Sequence, residues 1–150
     1  MDAKRCLRCI VLLVSLAVLT PLAVKAGEWE VTLKSLPDEQ SARGGIIIRD
    51  KEPITRGEAV KEITINATGL KPNAVYTVWL VNDGTRTALK GIGEADYSFK
   101  SDAYGNGSYT AYIDPAEFDE WVAIEIARHP DGNPENTSAM KAALKASLLN

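Results

Sequence analysis

From Gly27 onward, apolar and polar positions alternate with period two in one short run after another. Trp29, Val31 and Leu33 alternate with Glu28, Glu30, Thr32 and Lys34, the pattern of a half-buried strand. Ile63, Ile65 and Ala67 do the same against Glu62, Thr64 and Asn66. Gly45 to Arg49 carries Ile46, Ile47 and Ile48, long enough for a strand and too short for a helix. One stretch breaks the alternation. Between the turn at Pro72-Asn73 and the closing Asn82-Asp83-Gly84, Leu70 to Asn82 is almost wholly apolar through Val75, Tyr76, Val78, Trp79, Leu80 and Val81. That predicts a central strand packed on both faces, with Trp79 a core residue flanked by neighbouring strands.

After this stretch the signals shorten. Arg86 to Gly93, with Gly91 and Gly93, reads as a short or bulged strand. Tyr97–Lys100 and Ser108–Ile113 flank the glycine-rich Ser101–Gly107, which predicts a β-hairpin with a mobile, approachable tip. Tyr109, Ala111 and Ile113 share its core face, and Ser108, Thr110 and Tyr112 the other. Asp114, Pro115 and Glu117 are N-cap, N1 and N3 of a helix start, with room for about one turn before Trp121. Trp121 to Arg128 puts Val122, Ile124 and Ile126 inward against Ala123 and Glu125, and His129 to Pro134 reads as a loop. The tail fits two periods. Met140, Leu144 and Leu148 make a helical stripe, whereas Met140, Ala142, Leu144, Ala146 and Leu148 alternate as a strand, the reading a last strand of a sheet favours. About eight or nine short strands, with turn signals every 8–12 residues or so, predict an all-β fold, an immunoglobulin-like antiparallel β-sandwich.

The first 26 residues follow another grammar. Lys4, Arg5 and Arg8 precede an apolar run from Ile10 to Leu19, Pro21 interrupts it, and Val24-Lys25-Ala26 offers small residues at the −3 and −1 positions. This is the pattern of a secretory signal peptide cleaved after Ala26, and the run falls short of the ~20 residues that span a bilayer. Residues 27–150 then form a single domain, secreted or periplasmic. Both cysteines, Cys6 and Cys9, lie in the leader, so the mature chain holds together without disulfide or thiol-metal chemistry. It also lacks the cysteine pair of an antibody-type domain. Removing the leader leaves 13 basic and 19 acidic residues, a net of −6, which argues against nucleic acid and anionic membrane as partners.

Gly69-Leu70-Lys71-Pro72 with Tyr76-Thr77-Val78-Trp79-Leu80-Val81, Phe99-Lys100-Ser101-Asp102-Ala103 with Gly105-Asn106-Gly107, and Val122-Ala123-Ile124-Glu125-Ile126 carry a resemblance. Together with Gly132-Asn133-Pro134 and Thr137-Ser138, they resemble the extracytoplasmic C-terminal β-sandwich domain of anti-sigma-K-type factors. The resemblance covers about half of the chain, Gly69 to Leu148. It implies the fold and a sensing or binding role outside the membrane. No sigma-binding region, zinc-ligand pattern or central membrane helix accompanies it, so sigma-factor sequestration does not carry over.

Candidate chemistry is sparse. His129 is the lone histidine and no G-x-S-x-G nucleophile pattern is present, so no catalytic residue is assigned. No metal site is assigned either. Asp102 with Asn106, or the acids between Asp114 and Glu120, offer hard oxygens to Ca²⁺, but turn formation and helix capping explain them as well. No cofactor is expected. The aromatics Tyr104 and Tyr112, with Asp102 and Asn106 beside the former, are the candidate ligand-binding residues, a stacking platform for a peptide or a sugar. The sequence reading is a non-catalytic binding module with a protein or cell-surface ligand. A structural envelope protein is the alternative.

Overall fold

The computed structural model describes residues 27–52, 57–82 and 88–149. The leader, the tip of the 51–58 loop and the Asp83-Gly84 end of the central stretch lie outside the described residues. Nine antiparallel strands make up most of the rest: β1 (Glu28–Ser35), β2 (Arg43–Lys51), β3 (Val60–Thr68), β4 (Val75–Val81), β5 (Leu89–Gly91), β6 (Ser98–Lys100), β7 (Gly107–Ile113), β8 (Ala123–His129) and β9 (Lys141–Ser147). A 3₁₀ turn spans Pro37–Glu39 and one helix, α1, spans Pro115–Phe118. The tail is therefore a strand.

The strands hydrogen-bond in the order β5-β4-β8-β9-β1-β2-β3-β7, with β6 also paired to β4. They form one continuous sheet, curled like a half-barrel. β1 is its seam: Glu28 to Leu33 pair with β2, whereas Lys34 and Ser35 pair with β9. Inside the curl the alternating residues converge. Ile46, Ile48, Ile63, Ile65, Val78, Leu80, Ile124, Ile126 and Leu144 are fully buried in one core. Where the two ends of the sheet approach, no ladder joins β6 to β7. Aromatic contacts fill that side: Phe99 stacks on Tyr76 at 5.5 Å and leans on Tyr109 at 6.1 Å. Phe118 of α1 plugs one end, and Lys61 reaches out of the core beside it to Asp50, 2.8 Å away.

β4 is buried on both faces, as its composition demands. Tyr76, Val78 and Leu80 point into the main core, whereas Trp79 and Val81 form a second cluster with Ala123 and Ala127 of β8, flanked by Leu89, Tyr97, Val122 and Met140. Trp79 meets Tyr97 edge-on at 5.6 Å. Leu89 and Tyr97 pack over this outer face, so Trp79 belongs to a small second layer of the core.

Three expectations need correction. Tyr97–Lys100 and Ser108–Ile113 are not a hairpin. β6 pairs with β4 and β7 with β3, so the loop between them crosses from one half of the sheet to the other. Val122 is not inward with Ile124 and Ile126 but packs in the second cluster, and Glu125 on that same outer face is buried. His129 is not in a loop. It ends β8, paired with Val75, and is 2% exposed. A polar side chain hides there because Thr77 Oγ1 lies 2.8 Å from its Nε2, and Trp79 Nε1 donates to the same hydroxyl at 2.7 Å.

Candidate functional site

The crossover loop after β6 carries three of the four candidate residues. Ser101 anchors it: its hydroxyl donates to Lys71 O at 2.6 Å and accepts from Ala74 N at 3.0 Å. Asp102 then organises the turn. Its Oδ1 accepts from the backbone N–H groups of Tyr104 and Asn106, each at 2.8 Å, and its Oδ2 accepts from Asn106 Nδ2 at 3.0 Å. These bonds, the backbone N–H of Asn106 foremost, hold the Asp102 carboxyl below the ordinary aspartate range, because they favour its charged form. Gly105 closes the loop with φ +78°, and an added Cβ would run into the carbonyl oxygen of Leu70. The backbone seals the contact, since Leu70 N–H donates to Gly105 O at 3.0 Å.

The outcome is a braced turn where a mobile hairpin tip was expected. Tyr104 stands on it with 87% of its surface exposed. A large ring on a tightly bonded turn loses little further freedom on meeting a ligand, which favours it as a contact. Beside the turn lies a shallow hollow of about 450 Å³, lined by Asp102 and Asn106 together with Asn66, Thr68, Lys100 and Ser108. Amides, hydroxyls, one carboxylate and one ammonium border a surface that is otherwise mostly apolar.

Tyr112 is elsewhere. It is 56% exposed on the outer face of β7, but Tyr104 precedes that strand and Tyr112 nearly ends it. From Gly107 to Tyr112 the strand alone spans roughly 17 Å. Tyr112 donates its hydroxyl to Glu62 Oε2 at 3.1 Å and borders a different hollow, of about 520 Å³, with Glu94, Asp96 and Tyr109. Burial pushes the Glu62 carboxyl up, but the bonds from Tyr112 and Lys51 outweigh it and leave the group below its ordinary range. The four candidates are thus two surfaces and not one platform.

His129 is enclosed, and its Nδ1 is buried without a hydrogen-bond partner. Asp114 caps α1, accepting from Ala116 N at 2.7 Å and Glu117 N at 3.2 Å. Among the described residues no group of three or more His, Cys, Asp or Glu side chains is placed to hold a metal ion. Sequence reasoning missed a buried ion pair: Arg128 Nε donates to Glu39 Oε1 at 2.6 Å, with Glu39 only 3% exposed. A glutamate in a polar Pro-Asp-Glu-Gln turn carries no signal of burial. It also missed the slot at the β1 seam, which only the diverging ladders reveal. No known family, curated protein or solved structure matches the chain.

Proposed function

We propose that the chain is a secreted or periplasmic, non-catalytic binding module that engages a protein or cell-surface ligand through the braced turn at Tyr104. The observation that carries this reading is Tyr104 itself, a fully presented aromatic on a turn fixed by Asp102, Ser101 and Gly105. Loops fixed on a rigid sheet are the usual place for recognition. Asp102 and Asn106 act mainly on each other, so they shape the turn and leave the adjoining hollow to Thr68, Ser108 and Lys100. The fold reading that accompanies this is an immunoglobulin-like sandwich. Its support is strand adjacency: β3 lies beside β7, β4 beside β8 and β8 beside β9, the B–E, C–F and F–G neighbours of that fold, with β1 joining the two halves. A sensing role akin to that of anti-sigma-K-type domains belongs to the same proposal, and its support is the run of motifs from Gly69 to Leu148.

The test is binding of the mature domain to intact envelope material. Tyr104→Ala should weaken saturable binding by roughly tenfold, about 1.4 kcal/mol, with the melting temperature unchanged. Asp102→Ala should weaken it similarly by loosening the turn. Binding that survives both changes would remove this surface from the reading, and the absence of saturable binding would favour a passive structural protein.

A further inference from the structure

The seam at β1 is a second, independent feature. β1 and β9 pair only at Lys34–Lys145 and Ser35–Leu144, and beyond that Leu36 N–H donates to Ala143 O at 2.9 Å. Toward the other end both strands continue, β1 back to Glu28 and β9 on to Ser147, without pairing to each other. A wedge-shaped slot opens between them.

Its walls carry backbone groups that no strand of the sheet uses, although Leu149 O already accepts from the Ser147 hydroxyl at 3.2 Å. Asp50 N–H donates to Gly27 O, so the odd-numbered residues of β1 bond to β2 and the even-numbered ones face β9. Leu148 N–H donates to Val122 O, so the even-numbered end of β9 bonds to β8 and the odd-numbered residues face β1. Thr32 and Glu30 on one wall, and Ser147 and Leu149 on the other, therefore turn their peptide groups into the slot. A cavity opens on each side of it. The outer one, about 680 Å³, contains Thr32, Lys34, Ala123, Lys145 and Ser147. The inner one, about 500 Å³, is bounded by Trp29, Phe118, Trp121 and Leu148, and Trp121 Nε1 is a buried donor without a partner. Because β side chains alternate, a strand in the slot would send them to the two cavities in turn.

Charge decides which way such a strand runs. At the narrow, closed end Lys34 and Lys145 stand directly opposite each other, an unfavourable like-charge pair. Among the described residues neither makes an ion pair. Glu125 of β8, directly opposite Lys145, is buried and has an interaction of its own. The acids Glu30 and Asp119 border the inner cavity. A chain cannot pass through, since the ladder shuts at the lysines, so whatever enters must end there. We infer that the slot between β1 and β9 takes the extended C-terminal segment of a partner protein by strand addition, with its terminal carboxylate at Lys34 and Lys145. The segment runs parallel to β1 and antiparallel to β9, pairing with Ser147 and Leu149. The four residue steps from Glu28 to Thr32, where β1 does not pair with β9, span ~14 Å, room for about four residues. The chain's own leader is a poor occupant, because Lys4, Arg5, Arg8 and Lys25 make it basic.

This goes beyond the Tyr104 surface and stands or falls without it. The probe is a fluorescein-labelled peptide of six alternating valines and threonines with a free C-terminal carboxylate, compared with its C-terminal amide by fluorescence anisotropy. The free acid should bind at least about tenfold tighter than the amide, and Lys34→Gln/Lys145→Gln should abolish that preference. Ser147→Pro deletes an N–H that no strand of the sheet uses, so it should weaken the peptide with the circular dichroism of the fold intact. In amide exchange, Ser147 should be unprotected alone and protected with peptide. Equal affinity for acid and amide, a preference that survives the double substitution, no binding at millimolar peptide, or a Ser147 amide already protected in the free protein would each overturn the inference. Tyr104→Ala should leave peptide binding unchanged, which separates this site from the first.

Discussion

Arg128→Met is the perturbation whose cost the structure defines best. Arg128 reaches from β8 to Glu39 in the 3₁₀ turn, 89 residues away in sequence, and donates to it at 2.6 Å. The glutamate side chain is 2% exposed and the arginine side chain 18%, so the pair is shielded from bulk water. Removing one partner of a buried pair leaves the other as an uncompensated charge and typically costs ~3–5 kcal/mol. The arginine side chain is the more exposed of the two, so the lower end, ~3 kcal/mol, is expected. That is a large part of the ~5–15 kcal/mol by which such a domain is stable. Glu39→Gln/Arg128→Met, which removes both charges, should recover most of the loss, because replacing a whole buried pair is often near neutral. Urea unfolding of the wild type, both single variants and the double variant gives the coupling energy. A cost below ~1 kcal/mol for Arg128→Met, or a double variant no better than the single, would mean that water already solvates Glu39 and the argument from burial fails.

Two further outcomes follow from the core. Burial raises the Tyr76 hydroxyl to about 12. The unfolded chain loses that proton near the ordinary 10 while the native state keeps it, so the Tyr76 contribution to stability should be steady below pH 10 and fall from there to about pH 12. Tyr76→Phe should flatten part of that decline, and an unchanged pH profile would refute the assignment. Gly91 lies in register with Trp79, and a Cβ there would enter the Tyr97 ring, so Gly91→Ala should expel that ring from the second cluster. The expected cost is ~1–3 kcal/mol, as for overpacked cores, with a change in tryptophan fluorescence, and a neutral melting temperature would contradict the packing.

The strands could be read from the sequence because each depends on its own alternation. Ile63, Ile65 and Ala67 face the core whatever lies opposite, and the apolar run through Trp79 requires cover on both faces. Asp114 at its cap and Asp102 in its turn are equally local, since the groups they bond lie within four residues. What the sequence could not carry is pairing between distant segments. The Tyr97–Lys100 and Ser108–Ile113 runs look like a hairpin by proximity, yet each gains more by joining a different half of the curled sheet, β4 and β3. His129 looks like a loop residue because histidine, proline and glycine are turn formers, and only Thr77, 52 residues earlier, makes its burial tolerable. Tyr104 was legible as exposed because no apolar neighbour in sequence could cover it. Its separation from Tyr112 was not, since it depends on which end of β7 each residue meets. The slot at β1 is the extreme case. Neither β1 nor β9 is unusual alone, and the opening exists only because β1 follows β2 along most of its length and β9 at its end. Local pattern sets which face of a strand is buried, whereas the choice of neighbour is made by the sum of long-range contacts, which no window of sequence contains.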